Sequence, residues 1–279
     1  MTRDTAQLRG RLLDDFSRDL LDGALRVAAD VENPIRLNQF ASALRELFSY
    51  TLHKLSPDDR VPRCVWYAQE PNTNGPTRRQ RAKYATQGGL SDGLIAKSGI
   101  DVAHLHDGAV VAINELSKYT HVRPDTIIRD KDEADGFVDA ALSALEGLFE
   151  AFDTCRRQIV EAILDHVTDE AVNALISETI LSVDEISSHH SIEEIWVDET
   201  KVISVTDSEI HYEITGTIGV GLQWGSNSDI RRGDGALLDE SFPFKVTTWA
   251  PVEEITQFTD TQFAVDTGSW FENYYDEDP

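Results

Sequence analysis

The first two thirds of the chain place apolar residues at the three- and four-residue spacing of amphipathic helices. Within residues 4–30 the apolar positions are Leu8, Leu12, Phe16, Leu20 and Val27. A second helix is predicted from Asn33, a favourable N-cap that precedes Pro34, to about Leu55. Its apolar positions are Leu37, Phe40, Ala41, Leu44, Phe48, Thr51, Leu52 and Leu55.

A proline-rich loop, residues 56–76, separates this pair from further predicted helices. Thr77 and Gln80 have the spacing of a capping box that begins a short helix, and Gly88 ends that helix. Longer helices are predicted over residues 101–119, 130–166 and 169–186. The 130–166 helix carries a seam typical of bundle packing, formed by Val138, Leu142, Leu145, Phe149, Phe152, Ile159 and Ile163.

The hydrophobic period changes from 3.6 to 2 after residues 187–191, which predicts a domain boundary there. Strands are predicted at residues 201–205, 209–215, 220–224 and 244–250. We therefore predict an α+β fold, in which an N-terminal all-α helical bundle is followed by a small antiparallel β domain. The predicted domains are the bundle at 1–190, the β domain at 191–268 and an acidic tail at 269–279.

The charge of the chain changes the expectation about its partners. It holds 50 Asp and Glu against 25 Lys and Arg, a formal net charge of −25, so most of its surface should repel nucleic acid. Cys64 and Cys155 form no Cys-x-x-Cys pair, and no apolar run approaches the ~20 residues of a membrane span. We expect a cytoplasmic protein with no cofactor, no bound metal and no membrane partner.

A first basic island interrupts this acidic chain on the short helix. It consists of Arg78, Arg79, Arg81, Lys83 and Tyr84. No carboxylate lies within residues 77–88, so the cations can attract an anionic group such as a phosphate, which arginine binds through two donors. The alternative is that they pair with carboxylates of neighbouring helices, such as Glu46 or Glu70.

A second basic island, residues 116–124, lies at the end of the 101–119 helix. Lys118 and His121 are three residues apart and can face one site, where Tyr119 can stack a base or hold a phosphate. A histidine near neutrality accepts and donates protons, and a nearby cation stabilises charge on phosphorus, which suffices for metal-free RNA cleavage. The alternative is that these cations complement the helix dipole.

A turn-rich loop at residues 224–235 is the third candidate, either as a structural hairpin loop or as a binding loop on a β scaffold. Its candidate residues are Trp224, Asp229, Arg231, Arg232 and Asp234. The two arginines argue against a cation site. Two short patterns give weaker metal signals: Glu199-Thr200-Lys201 resembles half of a restriction-type nuclease motif, and His189 precedes His190.

Longer sequence segments, in both the helical region and the β domain, resemble a known family. They cover residues 33–41, 44–47, 77–81, 88–92, 116–121, 222–229, 231–235 and 241–244. Over roughly residues 30–270 the chain is similar to the predicted pPIWI-associating nuclease family of prokaryotes. The resemblance implies a role in prokaryotic defence beside an Argonaute- or PIWI-like partner.

The helical domain also resembles the HEPN ribonucleases, which are helical bundles with a histidine late in a helix. That resemblance implies a metal-independent ribonuclease in which His121 acts. HEPN enzymes place an arginine four to six residues before the histidine, and no arginine has that spacing here. Lys118, Arg81 or Arg45 would substitute for it through space.

These patterns support three hypotheses about function. We favour a nuclease acting on RNA, in which the two basic islands converge on a phosphodiester. The second hypothesis is a module that binds a ligand or partner through the 224–235 loop. The third is an adaptor in a prokaryotic conflict system that forms a homodimer through the seam of the 130–166 helix.

The excess of carboxylates, with abundant aspartate and scarce lysine, also predicts a halophilic and archaeal protein. At about 1 M salt, charges are screened beyond about 3 Å, which relieves the repulsion among carboxylates. We therefore expect a higher melting temperature in molar KCl than in low salt, measured by circular dichroism. Equal melting temperatures in the two buffers would contradict the halophilic assignment.

Overall fold

The structure, a computed structural model, describes residues 5–100, 102–167, 172 and 189–270. A helical region precedes a four-stranded antiparallel sheet, so the predicted α+β fold is confirmed. The chain divides into two compact units, Met1–Ile159 and Val160–Pro279. Residues 173–188 lie outside the described part, so the boundary at 190/191 and most of the 169–186 helix stay predictions.

The helical region contains seven α-helices in the described residues. They are α1 (Ala6–Arg11), α2 (Asp15–Ala29), α3 (Arg36–Leu55), α4 (Arg78–Gln87), α5 (Asp92–Lys97), α6 (Ala103–Tyr119) and α7 (Lys131–Leu164). A 3-10 turn, Val61–Arg63, lies in the proline-rich loop before α4. Among the described residues, none of the helices combines the length and the apolarity that crossing a membrane requires.

The single helix predicted over residues 4–30 is wrong, because Asp14 begins a new helix. The Asp14 carboxylate accepts a hydrogen bond from the Ser17 backbone N–H at 2.9 Å. The Ser17 hydroxyl in turn accepts from the Asp14 backbone N–H at 3.2 Å, which completes a capping box. Because of this break, the buried face of α2 does not continue the apolar pattern of α1. Leu21 is buried, whereas Phe16 is 57% exposed.

The predicted helices at residues 33–55, 77–88, 101–119 and 130–166 have counterparts in α3, α4, α6 and α7. Thr77 and Gln80 form the expected capping box of α4, and Gly88 follows its last residue with a φ of 57°. The apolar face of α3 is buried as predicted, although Asn33 forms a turn with Ile35 and the helix begins only at Arg36. The short helix α5 was not predicted.

The seam of α7 is part of the protein's own core. Leu142, Leu145, Phe149 and Phe152 are at most 6% exposed and belong to the same hydrophobic cluster as residues of α2, α3 and α6. Because these side chains are already covered within the chain, the proposal of a homodimer through this seam is wrong. A homodimer through another surface stays a prediction.

The second unit contains an antiparallel sheet with strand order β1-β2-β3-β4. The strands are β1 (His189–Val205), β2 (Glu209–Trp224), β3 (Ala236–Pro251) and β4 (Thr259–Val265). Alternate residues of β2 and β3 form a buried face, where Val167 and Val172 pack against a cluster that includes Ile214 and Phe244. Burial raises the pKa of Tyr212 on this face, and its hydroxyl donates to the Ile255 carbonyl.

The two strands predicted at 209–215 and 220–224 are one continuous strand, β2. Gly216 permits a close approach instead of a turn, since an added Cβ would lie 2.1 Å from the Trp196 carbonyl oxygen and 2.8 Å from the Phe244 ring. Gly219 lies beneath the exposed Trp196 ring. Gly216 and Gly219, which lie between the two predicted segments, therefore allow the strands and side chains to pack closely.

The cap at the start of α2 predicts a pH-dependent stability. The Tyr50 hydroxyl, followed by the Ser17 backbone N–H, lowers the pKa of Asp14 from 3.8 to about 2. The ionised carboxylate therefore stabilises the fold above pH 3.8, and this contribution is lost as the pH falls toward 2. We expect Asp14→Asn to lower the melting temperature at pH 7 and to have little effect near pH 2.

Asp15→Asn is the matched control, because Asp15 is adjacent and its side chain is 96% exposed. It should change the melting temperature at pH 7 much less than Asp14→Asn. Equal effects of the two variants at pH 7, or an Asp14→Asn effect that does not shrink in acid, would contradict the role assigned to the Asp14 cap.

Candidate functional site

The centre of the first basic island is buried. Arg81 is 5% exposed, and its guanidinium donates to the Ser56 carbonyl at 2.8 Å and to the Asp58 carboxylate. The Ser56 hydroxyl donates back to the Arg81 carbonyl at 2.6 Å. Arg81 therefore joins α4 to the end of α3, and the prediction that it faces an anion in solvent is wrong.

Two neighbouring groups support this structural role. The hydrogen bond from Arg81 lowers the pKa of Asp58, so this carboxyl is ionised near neutrality. Tyr84, one helical turn further along α4, is 8% exposed and packs with Val61 and Cys64. Tyr84 is therefore a core residue rather than part of an anion-binding surface.

The opposite side of α4 lines a pocket of about 460 Å³, which we call the α4–α5 pocket. It is bounded by α4, α5, the loop before α4 and the segment that leads into α6. The residues that matter for its chemistry are Trp66, Arg79, Lys83, Gln87, Asp92 and Ile95. The volume lies within the range of small-molecule sites, about 300–1,000 Å³.

Lys83 connects the aromatic and acidic sides of this pocket. Its ammonium lies 4.5 Å from the centroid of the Trp66 ring and 2.6 Å from Oδ1 of Asp92. The Trp66 indole N–H donates to the Gly88 carbonyl, which fixes the ring against the end of α4. Lys83 thus has a carboxylate partner from α5, as the pairing alternative expected, although not from Glu46 or Glu70.

Gln87 leaves one hydrogen-bond acceptor unused at the floor of the pocket. It is fully buried, and its side-chain amide group donates to the Leu90 carbonyl at 2.8 Å and to Asp92 at 3.2 Å. These two acceptors fix the orientation of the amide, yet its Oε1 atom has no partner within the described part of the chain. A buried acceptor without a donor costs about 1–3 kcal/mol.

The first two residues of α4 contact α6 instead. Arg78 is exposed, and its guanidinium donates weakly to Oδ1 of Asn114 at 3.4 Å. Within the described residues no carboxylate pairs with Arg78. Arg79 forms an ion pair with Asp107 at 3.3 Å, and both side chains are more than half exposed. An ion pair so exposed is worth about 0–1 kcal/mol, so an incoming anion can compete for Arg79.

Asn114 and Lys118 lie four residues apart on one side of α6, and His121 follows three residues later, just beyond the end of the helix. We call these three residues together with Arg78 the α4–α6 edge. The helical backbone continues through Thr120, so His121 lies about 10 Å beyond Asn114 along the axis. His121 is exposed, and Lys118 pairs with Glu115 on its own helix at 2.6 Å.

The turn that carries His121 is held by a buried asparagine of α3. Asn38 is 2% exposed and donates to the Tyr119 carbonyl at 2.8 Å and to the Thr126 carbonyl at 3.2 Å. The Thr126 hydroxyl donates to the His121 carbonyl at 2.7 Å. These bonds hold the backbone of His121 in place. The residue itself is exposed to solvent.

Two further candidates have structural contacts. The Tyr119 ring packs against Phe137 of α7, with centroids 4.6 Å apart, so it is not free to stack a base. Arg45 pairs with the adjacent Glu46 at 2.6 Å. The structure shows no contact between Arg45 and either basic island in the described residues, so a substitution of Arg45 for the HEPN arginine has no support.

The 224–235 loop contains a helical turn, α8 (Asn227–Arg232). The Ser226 hydroxyl and backbone N–H lower the pKa of Asp229, whose carboxylate caps this helix and accepts from Arg232 at 3.0 Å. Arg231 donates to the Asn227 carbonyl, and the Asp234 backbone N–H donates to the Asp229 carbonyl. Trp224 stacks on Trp270 with centroids 5.8 Å apart. A binding role for the loop stays a prediction.

The weaker metal signals gain no support. Glu199 pairs with Lys201 at 2.6 Å on the exposed side of β1, where each neutralises the other. Within the described residues, no three His, Cys, Asp or Glu side chains converge as metal ligands would.

Sequence reasoning missed Asn38, Gln87 and Asp92. Asn38 had a detectable signal, because a polar residue stood between Leu37 and Phe40 on the apolar face of a predicted helix. Gln87 and Asp92 gave no comparable signal, since Asp92 contacts Lys83 and Gln87 only when the turn after α4 brings the start of α5 against that helix.

Arg78, Asn114, Lys118 and His121 are exposed, and the α4–α5 pocket lies on a different side of α4. Two family models match the chain, at residues 9–145 and 152–271, and both are described as predicted pPIWI-associating nuclease. Together they span nearly the whole chain, which therefore belongs to the predicted pPIWI-associating nucleases. No curated protein and no solved structure matches it.

The two family models meet within α7, between residues 145 and 152. The two compact units also meet within this helix, at residues 159 and 160. Both divisions lie earlier in the chain than the boundary predicted from hydrophobic period. Neither family description mentions the HEPN ribonucleases, and the resemblance to them stays a prediction.

The different burial of Arg79 and Arg81 predicts different effects on stability. Arg81→Ala leaves the buried Ser56 carbonyl without its donor and should lower the free energy of unfolding by about 2–3 kcal/mol. Arg79→Ala removes only an exposed ion pair and should cost less than about 1 kcal/mol. Urea unfolding followed by circular dichroism measures both changes. Equal losses would contradict the structural role of Arg81.

Proposed function

We propose that the protein is a ribonuclease that binds its substrate along the α4–α6 edge and cleaves it without a metal ion. The observation that carries this proposal is the contact of Arg78 with Asn114, one helical turn before Lys118. It places a cation of the first basic island, with no carboxylate partner in the described residues, in line with the second island. Family membership supports the nuclease class, whereas the preference for RNA is our inference.

The chemistry assigns distinct roles to three side chains. His121 accepts the proton of a ribose 2′-hydroxyl, and the 2′-oxygen attacks the adjacent phosphorus. The bond from phosphorus to the 5′-oxygen breaks, and this oxygen takes a proton from water, which leaves a 2′,3′-cyclic phosphate and a 5′-hydroxyl. Lys118 stabilises the negative charge that develops on the non-bridging oxygens, and Arg78, which contacts Asn114 about 10 Å from His121 along the axis, holds a neighbouring phosphate of the strand.

The proposed setting is prokaryotic defence beside a PIWI-like protein. The family description names an association with such proteins, and we propose that this chain also forms one. A surface of net charge −25 repels free nucleic acid, so a partner that delivers the substrate to the α4–α6 edge would overcome this barrier. Co-purification of the two proteins from the native host tests the association.

A non-enzymatic binding module is the second candidate, and one observation favours it. Arg79, Arg81, Lys83 and Lys118 each have a carboxylate partner in the structure. The ion pairs of Arg79 and Lys118 are exposed, so a phosphate can replace their carboxylates. The ion pair of Arg81 differs, because the Arg81 guanidinium is buried. A protein that only holds its ligand would need no proton transfer from His121.

The deciding experiment compares cleavage of RNA and DNA of the same sequence, with and without EDTA, in the presence of the PIWI-like partner. We expect RNA to be cut equally well in EDTA and DNA to remain intact, because only RNA carries the 2′-hydroxyl. His121→Ala should lower the rate by about 10²–10⁴-fold, the usual contribution of a positioned general base.

His166→Ala is the matched control, since His166 is an exposed histidine whose ring nitrogen bonds the Ala162 carbonyl. It should leave the rate unchanged. Cleavage that EDTA abolishes, or equal rates for wild type and His121→Ala, would overturn the metal-free mechanism. Intact RNA under every condition, with RNA still bound, would favour the binding module.

A further inference from the structure

We propose that the α4–α5 pocket binds a nucleoside 5′-phosphate unit, with the base at Gln87 and the phosphate at the start of α4. The inference deepens the proposed function, on which it rests for the nature of the ligand. It concerns binding and not cleavage, and the pocket lies on a different side of α4 from the Asn114 contact that Arg78 makes.

Gln87 borders the pocket, and its Oε1 atom has less than 1 Å² of accessible surface, so a ligand N–H reaches it only after neighbouring side chains shift. Gln87 and Ile95 are the buried lining residues, at 0% and 4% exposure. Because both donors of the Gln87 amide are engaged by Leu90 and Asp92, the unpartnered Oε1 atom can only accept. Each of the four RNA bases carries at least one N–H on its hydrogen-bonding edge, whereas a sugar or a free phosphate brings no planar group with such a donor.

The walls favour a flat ligand with one apolar surface. Ile95, Ile100 and Val102 provide aliphatic contacts on one side of the pocket. On another side lies the Trp66 ring, with the Lys83 ammonium above it. The pocket therefore combines an apolar wall with a few polar groups, the Gln87 amide and the Glu70 and Asp92 carboxylates, and this combination suits a nucleobase better than a lipid chain. Its volume of about 460 Å³ accommodates one nucleotide and not a folded segment of protein.

The start of α4 provides the phosphate end of the site. Arg79 lines the pocket, Arg78 precedes it, and no acidic residue lies in the first turn of the helix. The positive end of the helix dipole is therefore not offset by a carboxylate of its own first turn. Arg79 and Gln87 are eight residues apart, which is about 12 Å along the axis, and the flexible arginine side chain covers part of that distance.

Calorimetric titration of the full-length protein tests the proposal with five probes. They are AMP, adenosine, ribose 5-phosphate, and one short RNA with either a 5′-phosphate or a 5′-hydroxyl. We expect AMP to bind more tightly than adenosine or ribose 5-phosphate, because only AMP fills both ends of the site. A 5′-phosphorylated RNA that binds more tightly than its 5′-hydroxyl form identifies a strand end as the source of the nucleotide.

Two bulky substitutions on α5 provide a matched pair. Ala96 is exposed and lines the pocket, so Ala96→Trp should weaken AMP binding at least about tenfold by filling it. Lys97→Trp adds the same side chain at the adjacent exposed residue and should leave the affinity unchanged. Arg79→Ala should weaken AMP about tenfold and leave adenosine unaffected. Gln87→Leu should weaken both ligands by the same factor.

The outcomes separate this inference from the proposed function. AMP binding that Ala96→Trp abolishes supports the pocket even when RNA is never cleaved. Binding of free AMP without binding of the 5′-phosphorylated RNA supports a nucleotide pocket and contradicts a substrate subsite. Absence of AMP binding, or equal AMP affinity in wild type and Ala96→Trp, overturns the inference whether or not the nuclease proposal holds.

Discussion

The orientation of α4 depends on the burial of one guanidinium. Arg81 bonds the Ser56 carbonyl and the Asp58 carboxylate at the end of α3, and this contact decides which side of α4 faces inward. With 3.6 residues per turn, fixing Arg81 inside turns Arg79, Lys83 and Gln87 toward the α4–α5 pocket. Arg78 is directed at the same time toward α6. The most buried cation of the island therefore binds no ligand itself, but it positions those that can.

The candidate site uses a few cations against a strongly acidic background. The exposure of the cations themselves divides them into two groups. The Arg79 and Lys118 side chains are more than half exposed, so a phosphate can replace their carboxylate partners at little cost, whereas the Arg81 side chain is 6% exposed. Such exchangeable ion pairs offset part of the positive charge around Arg78 when no ligand is bound and limit attraction of unrelated anions. This arrangement is compatible with a nuclease whose substrate is delivered by a partner protein.

The sequence predicted local structure well where the determining residues lie close together in the chain. The capping box of α4, the glycine that follows it and the buried face of α3 all depend on residues within a few positions of one another. The errors arose where one signal had two meanings. Asp14 occurred within an apparently continuous amphipathic pattern but begins a new helix, and Gly216 lies between two predicted strands but belongs to one continuous strand, where it permits close packing.

The sequence by itself determined the α+β order of elements, the excess of negative charge, the location of the two basic islands and the family. Only the tertiary structure decided which basic residues are free to meet a ligand. The sequence has no carboxylates near Arg81 and Lys83 and left open whether these cations are paired, and in the structure Asp58 and Asp92 reach them from other elements. Ion pairing acts over a few ångström in space whatever the separation along the chain. A local sequence pattern therefore locates charge but does not determine what neutralises it.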